Sequence, residues 1–240
     1  MSITLLISTY NRTPALQKSL ERLSELTLPD EIIIVDDGGS DGCKEMLSGL
    51  SIRCPVRYLY NHRPGPNNSG QARNVGIRLA CCEEVLITEP EVAFLTDVIA
   101  QLLLARKDFP ENALFGATLK ANQNGSAPND ATMVAGYPHY TLYRHSWLTE
   151  VGGYDESLPG AWGFEDVDLN HRMGENGHQT LFISAARAFH QWHPPRVDAG
   201  EANKNEVIVR AKVWPNDIVA NSHRPWGTLI SRPDEVRGST

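Results

Sequence analysis

Short apolar runs alternate with amphipathic stretches along the first half of the chain. Residues Ile3 to Ile7 are almost all apolar, which is typical of a strand buried on both faces. Thr13 and Pro14 then supply a helix N-cap and a first helical residue, and leucines follow at helical spacing. The same alternation predicts further strands at Glu31–Val35, Val56–Tyr60 and Val85–Ile87, and helices ending near Leu50, over Gly70–Cys82 and over Val92–Ala105. Strands that alternate with helices in this way predict a parallel sheet with crossover helices.

The second half of the chain has a different character. It predicts a polar surface loop over Asn122–Asp130, strands at Tyr140–Tyr143 and Thr180–Ile183, and a helix from Phe164 to about Asn176. From Pro194 onward, proline, asparagine and charged residues dominate, and only Glu206–Val213 is periodic. We therefore expect a main domain over residues 1–195, with halves of about 1–120 and 121–195, and a C-terminal extension or lid over 196–240.

The charge and cysteine content narrow the class of protein. The 240 residues carry a formal net charge of −7, whereas a general binder of nucleic acid or anionic membranes would present a basic surface. The first apolar run is too short, and lacks the basic start, for a signal peptide. No run approaches the roughly 20 apolar residues that a membrane span requires. The four cysteines show no CxxC spacing, which favours reduced thiols and a cytoplasmic location.

Polar residues directly follow three of the predicted strands. Ser8 to Arg12 follow the first strand, Asp36 and Asp37 follow the second, and Thr88 to Glu91 follow the fourth. Each stretch alone is compatible with a turn or a helix cap. Ligands of parallel α/β sheets bind at the carboxyl ends of the strands, so three polar strand ends on one rim favour a binding site there.

A glycine-rich loop precedes a helix that begins with three carboxylates. The loop is Gly152–Glu156, and Glu165, Asp166 and Asp168 lie in the first turn of the predicted helix, shortly after Trp162. Acidic residues are favourable at a helix N-terminus, so an acidic cap is one interpretation. Three carboxylates in four residues also repel one another, and such crowding suits one of them to proton transfer or recruits a cation. The neighbouring glycines and tryptophan favour a general base in a loop-gated sugar site.

Five motifs along the chain resemble those of family 2 glycosyltransferases of the GT-A fold, in that family's order. Ser8–Arg12, Val35–Asp41 and Gly70–Ile77 resemble its donor half, and Gly152–Leu169 resembles its acceptor half. Phe189–Pro194 is similar to the region after the catalytic domain of chondroitin-polymerase-like and galactosyltransferase-type members. The resemblance covers about residues 3–195. It implies an α/β GT-A fold, which is Rossmann-like with a mainly parallel central sheet, flanking helices and a smaller acceptor-side subregion.

The resemblance also implies an activity, which is inverting transfer of a sugar from a nucleotide-diphosphate donor, favoured as a UDP-sugar, to an acceptor hydroxyl. Asp37 would read the base edge, Arg73 would bind the diphosphate, and Asp166 would act as the catalytic base with Glu165 beside it. The implied donor-binding residues are Ser8, Thr9, Tyr10, Arg12, Asp37, Arg73, Asn74 and Glu89, and the implied acceptor-binding residues are Trp162, Gly163 and Asp168. The acceptor stays open among a saccharide, a lipid, a protein and a modified nucleic acid.

The expected metal motif departs from the family pattern. The family has Asp-x-Asp after the fourth strand, where this chain has Glu89-Pro90-Glu91. Glutamate still offers hard oxygen ligands for Mn²⁺ or Mg²⁺, although its extra methylene moves the carboxylate outward. By its position in this motif, Glu91 is the metal ligand that the resemblance implies. His190 is favoured as a further ligand, with His193 as the alternative, because the two histidines follow a predicted strand with Trp192 between them.

Two other function classes compete with this interpretation. A sugar-1-phosphate nucleotidyltransferase would need a glycine-rich basic loop after the first strand, and Ser8 to Asn11 is not such a loop. A non-catalytic nucleotide-sugar or glycan-binding protein is motivated by the altered Glu-Pro-Glu sequence, whereas the intact Glu165-Asp166 pair argues against it.

Overall fold

The computed structural model describes residues 1–62, 68–121, 138–193, 200–212, 216 and 218–228. The first half of the chain forms β1 (Ile3–Thr9), α1 (Thr13–Leu23), β2 (Glu31–Asp36), α2 (Cys43–Gly49), β3 (Val56–Tyr60), α3 (Ser69–Leu79), β4 (Glu84–Thr88), β5 (Val92–Phe94), α4 (Val98–Asp108) and β6 (Ala113–Lys120). The second half forms β7 (Tyr140–Arg144), α5 (His145–Glu150), α6 (Glu165–Glu175), β8 (Thr180–His190) and α7 (Gly200–Ala211). The predicted loop Asn122–Asp130 lies outside the described residues.

The strands form one sheet in the order β3-β2-β1-β4-β7-β6-β8-β5. Strands β1 to β4 are joined in parallel, and β6 also pairs in parallel with β8. Strand β7 runs antiparallel to both β4 and β6, and β5 runs antiparallel to β8. This arrangement confirms the predicted α/β class with a mainly parallel central sheet.

The strands and helices differ from the predictions at several places, and helix α5 and the first turn of α7 are among the parts that were not predicted. The helix predicted from Val92 is wrong at its start, because Val92–Phe94 pairs with β8 and the helix begins only at Val98, where the Asp97 side chain caps it. Strand β6 was not predicted. Strand β8 continues past Ile183 as far as His190, so its end reaches the same rim as the ends of β1 and β4.

The helices cover the two faces of the sheet. The pleat sends Leu5 and Ile34 into the core beneath α1, α2 and α4, and sends Leu6 and Ile33 into the core beneath α3, α5 and α6. Each such side chain is at most 2% exposed, and burying it contributes about 1.5–3 kcal/mol. Among the described residues, no helix combines the length and the apolar character that crossing a membrane demands.

Helix α3 packs unusually close to β1, and this packing places the residues of its first turns beside the strand ends. The Asn68 side chain accepts a hydrogen bond from the Gln71 N–H and so caps the helix. Further along, Gly76 lies against Leu6, and a Cβ at this position would overlap Leu6 Cδ1 and come within 3.1 Å of Leu6 Cγ. A side chain at position 76 would therefore push the helix away from the sheet.

We expect Gly76→Ala to destabilise the fold by about 1–3 kcal/mol, because the added methyl group overpacks a core in which Leu6 is fully buried. Urea unfolding measures this change. Gly49→Ala is the matched control, since Gly49 also lies in a helix but a Cβ there meets nothing within 4 Å. A loss below about 0.5 kcal/mol in Gly76→Ala, equal to that of the control, would contradict the close packing of α3.

Candidate functional site

One cavity of about 660 Å³ lies where the polar strand ends meet the start of α6. The residues predicted from sequence to form the site all line this cavity, except Asn74 and Asp168. Lining residues come from the strand ends (Ser8, Thr9, Tyr10, Arg12, Asp37, Glu89 and Glu91), from Arg73 on α3, from Trp162, Gly163, Glu165 and Asp166, and from His190. His193 and one residue of α7, Ala202, also line the cavity.

The two aspartates that follow β2 have different environments. Asp36 is buried beneath the rim, where its carboxylate accepts hydrogen bonds from the Tyr58 hydroxyl (2.9 Å) and the Gly39 N–H (2.7 Å). Burial raises the pKa of Asp36 more than these hydrogen bonds lower it. Asp37 lines the cavity, and its two oxygens accept from the Asn61 amide (2.7 Å) and the Asn68 N–H (2.6 Å). Asp36 therefore shapes the turn, while Asp37 is held in a fixed orientation at the cavity wall.

Arg73 lies at the centre of an acidic cluster. Its side chain is only 6% exposed, and Nη1 lies 2.8 Å from Asp166 Oδ1 and 3.4 Å from Glu165 Oε1. Its other amino group, Nη2, lies 3.8 Å from Glu89 Oε1. The three carboxylates raise the pKa of Arg73 further, against the opposing effect of burial. Because this guanidinium already faces carboxylates, its predicted contact with a diphosphate stays a prediction.

The first two carboxylates of α6 are not equivalent. Glu165 is buried, its Oε1 accepts from the Ser69 hydroxyl at 2.6 Å, and burial together with the neighbouring Asp166 raises its pKa. The Asp166 side chain is 30% exposed and lines the cavity. Its Oδ1 accepts from Arg73 and from the Tyr154 hydroxyl, the latter at 3.1 Å. Asp166 is therefore the more accessible of the two carboxylates from the cavity.

A strained turn positions these carboxylates. Phe164 immediately precedes α6 with φ of 65°, a left-handed conformation that is uncommon for residues other than glycine, and Gly163 has φ of 90°. Helix α7 supports the turn, because the Asn205 side chain accepts from the Gly160 N–H (2.7 Å) and donates to the Gly163 carbonyl (2.8 Å). A Cβ at Gly163 would come within 2.7 Å of Ala202, so α7 packs directly against the turn.

Two predicted ligand-binding residues lie away from the cavity lining. Asn74 is fully buried and forms two hydrogen bonds with the backbone of Tyr154 and one with Glu156, so it ties the glycine-rich loop to α3. Asp168 is also fully buried, where it pairs with Arg172 at 2.8 Å and with Lys212 at 2.5 Å. The sequence motifs locate both residues near the site, but their side chains point into the protein. Asn74 connects α3 to the glycine-rich loop, and Asp168 connects α6 to Lys212.

Glu89 and two histidines form a second cluster on the cavity wall. Glu89 Oε2 lies 2.9 Å from His139 Nδ1 and 3.6 Å from His190 Nε2. Burial alone would raise the pKa of Glu89, but hydrogen bonds from the two histidines outweigh it and hold the pKa well below its ordinary value. Glu89 in turn raises the pKa of His190 against the effect of burial. The ligand atoms of all three residues lie within 4.8 Å of one another, as a metal site requires.

The structure does not bring the predicted metal ligand Glu91 into this cluster. Glu91 Oε1 forms a 2.5 Å ion pair with Arg12 Nε and lies 3.9 Å from His193 Nε2. His190, the other predicted ligand, belongs to the cluster together with Glu89, and the metal role of Glu91 stays a prediction.

Three residues of the site were missed by sequence reasoning, namely His139, Asn205 and Lys212. His139 was missed because its position depends on strand register, since Thr88 of β4 pairs with Tyr140 of β7 and the next residues outward are Glu89 and His139. The sequence around Asn205 and Lys212 does not indicate which residues their side chains contact, because those residues lie more than 40 positions away in the chain.

A family model matches the larger part of the chain. The model for glycosyl transferase family 2 matches residues 4–155. This stretch includes the strand ends that line the cavity, as well as Arg73 and His139. Asp166 and His190 lie beyond the matched stretch.

A curated relative extends over most of the chain. Validoxylamine A glucosyltransferase of Streptomyces hygroscopicus subsp. limoneus is 22% identical over 252 residues, which covers 86% of this chain and 54% of that protein. The chain therefore spans about half the length of this relative.

Solved structures share the fold at low sequence identity. The structure of S. aureus TarS 1-349 in complex with UDP has a TM-score of 0.63 and 17% identity, and the match covers 81% of this chain and 61% of that one. Mannosyltransferase PcManGT from Pyrobaculum calidifontis, in complex with GDP-Man and Mn²⁺, has a TM-score of 0.64 and 15% identity, with 90% and 66% covered. These neighbours confirm the predicted GT-A fold, and the family match shows that the chain belongs to glycosyltransferase family 2.

Proposed function

We propose that this chain transfers a sugar, with inversion at the anomeric carbon, from a UDP-sugar to an acceptor hydroxyl. One observation carries the proposal, which is that a single cavity is lined both by the strand-end residues Ser8, Thr9 and Asp37 and by the carboxylate of Asp166. Inverting transfer needs a donor and an acceptor side by side with one general base. The volume of about 660 Å³ lies within the range of small-molecule sites.

The donor side is built around Asp37. A carboxylate oxygen offers more than one acceptor direction, so Asp37 can still receive the imide N–H of uracil while Asn61 and Asn68 hold it in place. The TarS neighbour was solved with UDP, which supports this donor class. The PcManGT neighbour was solved with GDP-Man, and guanine also presents N–H donors, so a GDP-sugar is the competing donor class.

The acceptor side is built around Asp166. As the acceptor oxygen bonds to the anomeric carbon, Asp166 takes the hydroxyl proton and the bond from that carbon to the diphosphate oxygen breaks. Attack opposite the departing diphosphate inverts the anomeric configuration. Arg73 and Tyr154 both donate to Asp166 Oδ1, which fixes the carboxylate for this role. Burial raises the pKa of Tyr154 well above its ordinary value, so its hydroxyl stays a hydrogen-bond donor.

Two further features of the cavity fit sugar transfer. Trp162 is half-buried in the lining, and an aromatic face suits the apolar face of a pyranose ring. A divalent cation, Mn²⁺ or Mg²⁺, held on the Glu89 side would neutralise charge on the departing diphosphate. The carboxylate and imidazole atoms of the cluster at Glu89 fit such an ion by their spacing and chemistry.

A donor screen tests the proposal directly. The full chain is incubated with UDP-sugars and GDP-sugars in Mn²⁺ and in Mg²⁺, and release of the free nucleoside diphosphate is measured. We expect slow release from one or more UDP-sugars even without an acceptor. Release from GDP-sugars alone would assign the competing donor class. Binding of nucleotide-sugars with no release and no transfer to any acceptor tried would indicate a binding protein.

We expect Asp166→Asn to lower kcat by on the order of 10²–10⁴-fold, since it removes the proton acceptor but keeps the side-chain volume. UDP affinity, measured by calorimetry, should stay within about threefold, because Asp166 lies on the acceptor side. Glu175→Gln is the matched control, since Glu175 is an exposed acid at the other end of α6. Retained transfer in Asp166→Asn, with transfer lost in a stably folded Glu165→Gln, would move the base to Glu165.

We expect Asp37→Ala to weaken UDP binding more than tenfold, because a site built to hydrogen-bond a base edge loses that pairing. Calorimetry with UDP measures the effect, and uridine alone should show a similar loss, since the lost contact is to the base. Circular dichroism checks the fold, because Asp37 also holds Asn61 and Asn68. Unchanged UDP affinity in a folded variant would make Asp37 a turn residue without a role in binding.

A further inference from the structure

Strand register places His139 beside Glu89. Strands β4 and β7 are antiparallel, with Thr88 opposite Tyr140, so the next residues outward along the two strands are Glu89 and His139. His190 ends β8 on the same rim and approaches Glu89 from the other side. Three different strands therefore bring one carboxylate and two imidazoles to one point of the cavity wall.

The three side chains are arranged as ligands rather than as a simple ion pair. One carboxylate oxygen, Glu89 Oε2, faces both His139 Nδ1 and His190 Nε2, at 2.9 and 3.6 Å. The two imidazole rings pack edge to face with their centroids 5.0 Å apart. A cation between them would replace the hydrogen bond between Glu89 and His139 and the longer ion pair between Glu89 and His190.

The surroundings of His190 prepare it to bind a metal. Its Nδ1 lies 2.9 Å from the Gln191 carbonyl oxygen and donates its proton there, so Nε2 is the ring nitrogen that faces Glu89 and that a cation would bind in place of a proton. The Gln191 side chain is itself fixed, since its amide donates to the Ala15 carbonyl and to the Ser19 hydroxyl, each at 2.9 Å. Ligand histidines in proteins are commonly oriented by such a second contact.

The chemistry of this group discriminates between metals. Mg²⁺ takes oxygen ligands almost exclusively, whereas imidazole nitrogen suits transition metals. Glu91, the nearby second carboxylate of the Glu-Pro-Glu sequence, is paired with the Arg12 guanidinium and is not part of the group. A set of one carboxylate and two imidazoles therefore favours Mn²⁺ and its transition-metal neighbours over Mg²⁺.

We propose that Glu89, His139 and His190 form the metal site of this cavity, with His139 as a ligand in its own right, and that the site selects Mn²⁺ over Mg²⁺. The inference rests on the proposed function only for the diphosphate, which would be a further ligand of the ion. The site binds Mn²⁺ through chain residues, so metal binding can be measured without any sugar transfer.

The test is Mn²⁺ binding by the full chain, followed by electron paramagnetic resonance without nucleotide and with saturating UDP. We expect His139→Asn to weaken Mn²⁺ binding at least tenfold, since even an outer-shell partner of a metal ligand is typically worth about 10- to 100-fold. His139→Asp restores an oxygen ligand, so it should narrow the preference for Mn²⁺ over Mg²⁺, measured by competition. In wild type, electron spin-echo modulation of bound Mn²⁺ should show coupling to imidazole nitrogen.

Two histidines serve as comparisons. His178→Asn is the control, because His178 stacks on Trp147 at 3.8 Å between ring centroids and does not line the cavity. His193→Asn tests the other histidine of the cavity wall. Loss of Mn²⁺ binding in His193→Asn but not in His139→Asn would overturn the proposal. So would wild-type Mn²⁺ without nitrogen coupling, a measurement that does not depend on any variant folding.

The outcomes separate this inference from the proposed function. Unchanged Mn²⁺ affinity in His139→Asn, with donor turnover intact, would refute the metal site and leave the glycosyltransferase proposal standing. Mn²⁺ bound through the three residues, with no nucleotide-sugar turned over, would support the metal site and count against the proposed function.

Discussion

A single buried guanidinium holds the acidic centre of this molecule together. Arg73 lies within 4 Å of Asp166, Glu165 and Glu89, which would otherwise repel one another in a largely buried site. Removing one partner from such a buried ionic cluster typically costs about 3–5 kcal/mol, because the remaining charges stay desolvated. Arg73 therefore joins Asp166, the proposed base, to the cluster of Glu89, His139 and His190 beside the strand ends. Its own position depends on the close approach of α3 to β1 at Gly76.

Segments from the second half of the chain complete the surroundings of Arg73 on two sides. The antiparallel strand β7 returns to the edge of β4 and brings His139 to Glu89. On the other side, α7 supports the strained turn before α6 through Asn205, while Lys212 bridges Asp155 and Asp168 at 2.7 and 2.5 Å. Helix α7 and Lys212 are thus packed against the turn before α6 and the glycine-rich loop. Ala202 of α7 lines the cavity, and the predicted lid stays a prediction.

Local sequence patterns predicted the parallel half of the sheet well, because strands such as β1 and β2 are buried on both faces and end abruptly in polar residues. The polar end of the second strand pointed to Asp37, and the three crowded carboxylates at the start of α6 pointed to Asp166, and both residues line the cavity. Local patterns could not show His139 beside Glu89 or Val92 in a strand, because both depend on antiparallel pairing between distant segments. Nor could a motif show that Asn74 and Asp168 point inward, since the direction of a side chain is decided by packing.

The central claim is that one cavity performs a single inverting displacement. The most direct measurement is proton nuclear magnetic resonance of the anomeric signal, recorded as the sugar leaves an α-linked UDP-sugar and before the free sugar mutarotates. When water replaces the acceptor, the account predicts that the β-anomer appears first. When an acceptor has been identified, the glycosidic bond of the product is expected to have the same inverted, β anomeric configuration. First appearance of the α-anomer would contradict the account, because retention requires a second displacement or front-face attack instead of a single attack assisted by Asp166.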